Sequence, residues 1–130
     1  MLAKTNEKSA SSMLFINSAK DEARITLFRG EKIVAQEYWG GKELSEKLLE
    51  KIDQLVTKNK TKIDAIAIYP GPGSYTGLRI GIAVANFLAW SLGVPIFEAD
   101  ANGNIQGRDK KFMLPKYLRQ AHITKPKLRK

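Results

Sequence analysis

The chain has 130 residues and a net charge of +9, a length that suits one domain with one hydrophobic core. It has no cysteine and a single histidine, so the composition excludes a disulfide framework, a thiolate metal site and a histidine-clustered metal centre. The charge is unevenly placed, because residues 108–130 carry a net +8 and the preceding body is nearly neutral. Such a tail can track nucleic-acid phosphates or an acidic protein face, or it can be a solvated extension.

The first part of the chain predicts a three-stranded antiparallel meander. Residues 1–11 are polar, and we expect them to be disordered. The segments MLFIN (13–17), ARITLF (23–28) and KIVAQEYW (32–39) are rich in residues with high β-propensity, and their alternation suits half-buried strands. Gly30 lies between the second and third segments, where it suits a tight turn.

The middle of the chain alternates helices and strands. KELSEKLLEKIDQLVTK (42–58) has apolar residues at helical spacing and predicts an amphipathic helix. IDAIAIY (63–69) is nearly continuously apolar, as expected of a strand covered on both faces. A second helix is predicted from residue 76 to Gly93, and VPIF (94–97) gives a last short strand. A strand–helix–strand unit of this kind requires parallel pairing through a right-handed crossover.

The last part of the chain predicts less regular structure. Residues 98–111 are polar and contain two glycines, so they predict a loop or linker. FMLPKYL (112–118) predicts one edge strand at most, because Pro115 cannot donate to a central ladder. The element order is therefore βββαβαβ, in an α/β domain with a mixed sheet. The most apolar stretch, residues 80–92, is shorter than the roughly 20 residues of a bilayer span, so we expect no transmembrane helix and no membrane partner. Residues 1–12 contain no apolar h-region of a secretory signal, so we expect a cytoplasmic protein.

A turn of two prolines and three glycines, YPGPGSYTGLR (69–79), separates two apolar segments. A glycine-rich turn before a helix gathers backbone N–H groups and the positive end of the helix dipole, which favours a phosphate. The candidate residues are Gly71, Gly73, Ser74, Thr76 and Gly77. Their spacing matches neither the dinucleotide fingerprint nor the Walker pattern. The alternative is a corner that lets the following helix pack close to the sheet.

The helix at 76–92 lacks the polar face that a surface helix normally shows. One of its sides can cover the sheet, whereas the opposite side combines arginine and aromatic residues with little other charge, which is typical of an interface core. The predicted partner-binding residues are Arg79, Ile82, Ala83, Asn86, Phe87 and Trp90. The alternative is that residues 98–118 fold back over this side within the same chain.

The sequence offers little catalytic chemistry. Ser74, Tyr75 and Thr76 carry hydroxyl groups, but no histidine or lysine in the body is evidently placed to activate them. We therefore predict no catalytic residue and no metal ligand, and an independent enzyme is the less favoured interpretation.

Three segments resemble the TsaB (YeaZ) family. IDAIAIYPGPGSYTGLRIGIAVANFLAWSLGVPIFEA (63–99) is similar to its signature, which is usually GPGSFTGLR followed by a glycine- and alanine-rich helix and an LGIP turn. MLFINSAKDEARITLFRGEKIVAQEY (13–38) resembles its opening strands, and LPKYLRQAHITKPK (114–127) resembles its closing P-x-Y-L-R segment. By this resemblance, residues 12–99 form the N-terminal lobe, and residues 100–130 form a linker and a basic tail.

The resemblance implies an actin-like, ribonuclease H-like lobe of the sugar-kinase and Hsp70 ATPase type. It further implies a non-catalytic scaffold that binds and activates its paralogue TsaD, as a heterodimer, in making threonylcarbamoyladenosine next to the tRNA anticodon. A TsaE-like ATPase joins that assembly, and the family's partner surface comprises the two lobe helices, here 42–58 and 76–92. The resemblance therefore places ATP and metal on the partner subunits, with no cofactor bound tightly by this chain alone.

Two departures from the family pattern bear on function. Asn17 stands where members of this fold commonly carry Asp, and an amide cannot act as a base and binds hydrated Mg²⁺ poorly. In addition, only about 15 residues, DANGNIQGRDKKFML (100–114), lie where the family commonly has a second lobe.

Several functional interpretations remain open at this point. They are a minimal TsaB-like scaffold, a nucleotide-phosphate-binding module and a degenerate copy with a different partner. The exposed apolar helix also favours a homodimer of the isolated chain, and the basic tail 108–130 is a candidate contact for tRNA.

Overall fold

The computed structural model describes residues 11–19, 22–40, 44–73, 75–114 and 116. Its seven elements follow the predicted order. They are β1 (Ser12–Asn17), β2 (Glu22–Arg29), β3 (Lys32–Gly40), α1 (Leu44–Lys58), β4 (Ala65–Ile68), α2 (Tyr75–Leu92) and β5 (Ile96–Glu98). Residues 1–10 and most of the basic tail lie outside the described residues, so the predicted disorder of 1–11 stays a prediction there. Ser11 is described, and its carbonyl accepts a hydrogen bond from the Gly30 N–H at 3.0 Å.

The five strands form one mixed sheet in the order β3-β2-β1-β4-β5. Strands β1, β2 and β3 pair antiparallel, which confirms the meander, and Gly30 takes a φ of 63° in the turn between β2 and β3. Strand β4 pairs parallel to both β1 and β5. The β4–α2–β5 unit supplies the long crossover that a parallel pair requires.

Both helices pack on one face of the sheet and form the main core there. The buried residues include Leu48, Ile52 and Leu55 of α1, Leu78, Ile82, Ala85 and Ala89 of α2, and Ile16, Ile25, Ile66 and Ile68 of the strands. Each buried Leu or Ile side chain contributes about 1.5–3 kcal/mol relative to exposure, so this face accounts for much of the stability. No helix within the described ranges is both long and apolar enough to cross a bilayer.

The opposite face of the sheet has a smaller core. It contains Phe15, Ala67 and Ala99, all at most 2% exposed. The loop after β5 covers this face, because a Cβ added at Gly103 would lie 3.3 Å from the rings of both Phe15 and Phe28. Strand β4 is therefore covered on both sides, as predicted. The polar segment predicted as a linker thus contributes directly to the core.

The predicted edge strand near 112–118 is wrong for the described residues 112–114 and 116. Pairing with β5 occurs earlier, where the Lys110 N–H donates to the Ile96 carbonyl at 2.7 Å and the Ile96 N–H donates back at 3.2 Å. Beyond that point Met113 turns inward and is only 2% exposed. Its backbone N–H and C=O bond to a side chain of α2 and are not available to a strand.

Candidate partner-binding face

The turn before α2 is a close-packed corner. An added Cβ at Gly73 would lie 2.5 Å from both the Cβ and the carbonyl oxygen of Ala19, and one at Gly81 would overlap the Oγ of Ser18. That Oγ donates a hydrogen bond to the Gly77 carbonyl at 2.6 Å. The glycines at 73 and 81 thus allow α2 to approach the end of β1, which confirms the corner interpretation.

The predicted phosphate-cradle residues have different environments. Gly71 and Gly77 are buried, whereas Gly73 and Thr76 are exposed; Ser74 lies outside the described residues. Gly71 takes a φ of 111°, in the left-handed region that favours glycine. Packing and backbone conformation therefore account for much of the glycine pattern, and phosphate binding stays a prediction.

Four of the six predicted partner residues lie on the exposed side of α2. Arg79, Ala83, Phe87 and Trp90 follow one another at helical spacing, and all four are exposed. Phe87 is 54% exposed and Trp90 is 79% exposed, with their ring centroids 6.5 Å apart. We call these four residues the helix face. It presents a large aromatic area beside a small residue, a composition that suits contact with another protein.

The two other predicted partner residues have different roles. Ile82 is 4% exposed and packs in the core, so its prediction as an interface residue is wrong. The helical period places it with Leu78 and Ala85 on the side that covers the sheet. Asn86 is half-buried, and its side-chain amide makes two hydrogen bonds with the backbone of Met113. Its Nδ2 donates to the Met113 carbonyl at 3.0 Å, and its Oδ1 accepts from the Met113 N–H at 2.7 Å.

The segment that reaches Asn86 forms a strap along one flank of α2. We define the strap as residues 108–114 and 116. The strap makes two contacts in addition to the bonds at Lys110 and Met113. The backbone N–H of Lys116 donates to the Pro70 carbonyl at 3.1 Å, and the Nζ of Lys116 lies 3.5 Å from a carboxylate oxygen of Glu98. The predicted fold-back over α2 therefore occurs at Asn86, while Phe87 and Trp90 remain exposed.

An apolar groove between α1 and α2 was missed by the sequence analysis. It has a volume of about 750 Å³. Its apolar lining includes Leu49, Val56, Leu88, Leu92, Ile63 and Pro95. Leu49 and Leu92 are 50% and 51% exposed at its sides. The available signal was Leu49 itself, which widens the apolar stripe of α1 beyond what the sheet can cover.

At the end of β1, Asn17 is a structural residue. Its Nδ2 donates to the Ala101 carbonyl at 3.0 Å, and its Oδ1 accepts from the Ala19 N–H at 3.1 Å. The Arg24 guanidinium donates to the same Ala101 carbonyl at 3.2 Å and lies 5.2 Å from the centroid of the Phe15 ring. An aspartate could not make the bond from Asn17 to Ala101, because an ionised carboxylate has no donor.

The acidic groups give little sign of a metal site in the described part of the chain. No cluster of three or more His, Cys, Asp or Glu side chains there could hold an ion. The carboxylate of Asp100 instead accepts bonds from the backbone N–H groups of Asn102 and Asn104. These bonds, led by those from Asn104, lower the pKa of Asp100 below its ordinary value of 3.8.

Comparison with known proteins places this geometry in a family. The model of the TsaD family, tRNA N6-adenosine threonylcarbamoyltransferase, matches residues 33–99, just over half of the chain. The tRNA threonylcarbamoyladenosine biosynthesis protein TsaB of Bacillus subtilis is 56% identical over 34 residues, covering 26% of this chain and 15% of that protein. Its counterpart in Escherichia coli is 30% identical over 87 residues, covering 65% of this chain and 38% of that protein. The chain belongs to the TsaB/YeaZ family.

A solved structure extends the TsaB/YeaZ assignment to the fold. YeaZ from Pseudomonas aeruginosa superposes with a TM-score of 0.63 at 26% identity, covering 69% of this chain and 44% of that one. The domain therefore has the actin-like, ribonuclease H-like fold. The part of this TsaB-family chain that matches covers less than half the length of each of these three relatives.

Proposed function

We propose that this chain is a non-catalytic scaffold subunit that binds and activates a TsaD-like transferase in the threonylcarbamoyladenosine modification of tRNA. The observation that carries the proposal is the helix face, where Phe87 and Trp90 are exposed on a domain of the TsaB/YeaZ family. The names of the curated relatives support the pathway, and the TsaD family model supports a partner related to this chain.

The helix face has the features of a protein-binding surface. Tryptophan and arginine are enriched among the residues that dominate binding energy, and truncating such a residue typically costs about 2 kcal/mol or more. Ala83 is exposed between Arg79 and Phe87, and its small side chain lets a second helix approach closely. The groove between α1 and α2 adds apolar surface beside this face, as helix-in-groove recognition requires.

The environment of Asn17 supports a scaffold more than a catalyst. Both polar atoms of its amide bond to backbone groups of the chain, and an amide cannot act as a general base. As the family resemblance implies, we propose that ATP and metal bind to partner subunits, including a TsaE-like ATPase. The nucleotide-binding alternative has less support, because close packing accounts for the glycines at 73 and 81.

Co-purification with the TsaD-like protein of the same organism tests the proposal. We expect Trp90→Asp and Ala83→Arg to weaken the complex at least about 10-fold, since each places a new charge on the helix face. Ile33→Asp is a matched control, because Ile33 is 50% exposed on β3, away from α2. Wild-type binding by both α2 variants would reject the face.

A reconstituted modification reaction tests the role beyond binding. We expect the wild-type chain to support threonylcarbamoylation of tRNA only when the TsaD-like and TsaE-like proteins are present. Transfer activity of the chain alone would contradict a scaffold. Titration with ATP and ADP addresses the alternative, since tight nucleotide binding without any partner would favour a phosphate-binding module.

A further inference from the structure

The strap exposes two large apolar side chains. Phe112 is 59% exposed and Leu114 is 40% exposed, on either side of the buried Met113. Neither residue is among the site residues predicted from the sequence. Single exposed apolar side chains are common on protein surfaces, whereas a group of them near other exposed apolar side chains indicates an interaction site.

The backbone of the strap is held by three parts of the fold. Lys110 pairs with β5, Met113 bonds to Asn86 of α2, and Lys116 bonds to the turn at Pro70. These contacts fix the chain on both sides of Phe112 and Leu114. Their positions are therefore set by the domain, and little conformational entropy remains to be lost on binding.

The strap and the helix face are adjacent. Asn86 precedes Phe87 directly in α2, and its partner Met113 lies directly between Phe112 and Leu114. The two hydrogen bonds between Asn86 and Met113 therefore hold the backbone of the strap against α2, one residue away from Phe87 in the helix. Two segments that are distant in the sequence thus meet at this point.

The charge of the strap distinguishes its rim from its centre. Arg108, Lys110 and Lys111 are exposed beside a single acidic residue of the strap, Asp109. Lys116 is exposed as well and has the Glu98 carboxylate as its acidic neighbour. The centre instead contains aromatic and aliphatic side chains. An apolar centre with a charged rim is the usual arrangement of a protein interface, in which the rim sets orientation and association rate.

We propose that the helix face and the strap form one composite docking surface for the TsaD-like partner, which contributes an apolar helix flanked by acidic residues. This inference rests on the proposed function, because it extends the partner surface from α2 to Phe112 and Leu114. A nucleic acid is the alternative occupant, because the exposed rings of Phe87, Trp90 and Phe112 would also suit base stacking. The TsaD family model favours the protein partner.

Binding of the full chain to the TsaD-like protein tests the composite surface. The strap variant is Phe112→Ser with Leu114→Ser, and the helix variant is Phe87→Ser with Trp90→Ser. The control is Ile33→Ser with Tyr38→Ser, two large hydrophobic side chains of β3 that are each about half exposed. We expect the strap and helix variants each to bind at least about 10-fold more weakly, with no change in the control.

The outcomes separate this inference from the proposed function. If only the helix variant binds more weakly, the strap is no part of the surface and the scaffold proposal stands. If both variants bind as the wild type does, both proposals fall. If the strap variant loses affinity for a tRNA transcript but not for the protein, the strap is a nucleic-acid contact and the inference is overturned. Melting temperatures report whether each variant remains folded.

The basic rim has a separate readout. Lys110→Glu with Lys111→Glu reverses two exposed charges without removing apolar surface. We expect this variant to associate more slowly with the partner and to lose most of the salt dependence of the association rate. An unchanged rate at low salt would exclude an acidic flank on the partner.

Discussion

The Oγ of Ser18 occupies the space that a side chain at position 81 would need, so Gly81 is what allows α2 to pack against the end of β1. The same Oγ donates to the Gly77 carbonyl one helical turn earlier. Two glycines of the family signature are therefore tied to one serine at the end of the first strand. The position of the helix face depends on this contact, because it sets how closely α2 lies on the sheet.

Gly81→Ala should destabilise the domain by about 1–3 kcal/mol, the usual cost of overpacking a close contact. Adding Ser18→Ala should recover only part of this loss, because the Cβ at position 18 would still lie 3.1 Å from the new methyl group. Urea unfolding of the single and double variants measures both effects. Ser91→Ala, at an exposed position of the same helix, is the control and should be nearly neutral.

Asn86→Ala should loosen the strap. It removes the acceptor of the Met113 N–H and the donor to the Met113 carbonyl, and an unsatisfied buried polar group costs about 1–3 kcal/mol. The free energy of unfolding should therefore fall by about 1–3 kcal/mol. Trypsin should also cleave the chain after Lys110 and Lys111 faster than in the wild type. Unchanged cleavage would show that the strap is held without Asn86. Gln54→Ala on the exposed side of α1 is a suitable control.

The regular elements could be predicted because each has a local pattern. Alternation predicted β2 and β3, a continuous apolar run predicted β4, and glycine after the last helical turn predicted the end of α2. The same periodicity assigns Ile82 to the sheet side of α2. Its inclusion among the partner residues was therefore an error of interpretation, and the information was in the sequence.

The strap could not be predicted in the same way. Asn86 and Met113 are 27 residues apart, and a bond from a side chain to a distant backbone has no periodic signature. The packing of the loop after β5 over Phe15 could not be predicted for a similar reason. That loop contributes the Ala101 carbonyl and Gly103, and it has no apolar run that would indicate a buried segment. Both features depend on which backbone groups meet in three dimensions.

Asn17 and Arg24 should show non-additive effects on stability, because both donate to the Ala101 carbonyl. Asn17→Ala should cost about 1–3 kcal/mol, since it also leaves the Ala19 N–H without its acceptor. Arg24→Leu should lower the free energy of unfolding by less, because Asn17 still donates to the Ala101 carbonyl. The double variant should lose more than the sum of the two, and a double-mutant cycle by urea unfolding measures the coupling. Strict additivity would show that the two donors do not share this role.

Acid should destabilise the loop after β5, which covers the sheet face opposite the helices. The bonds from Asn104 and Asn102 lower the pKa of Asp100, so its carboxylate stabilises the folded loop above the ordinary value of 3.8. That stabilisation is lost as the pH falls through the lower pKa of the folded state. The stability difference between wild type and Asp100→Asn should be constant above about pH 5 and should change only in the acid range. An NMR titration of the Asp100 carboxyl gives the pKa directly, and a midpoint at or above 3.8 would contradict the hydrogen-bonded loop.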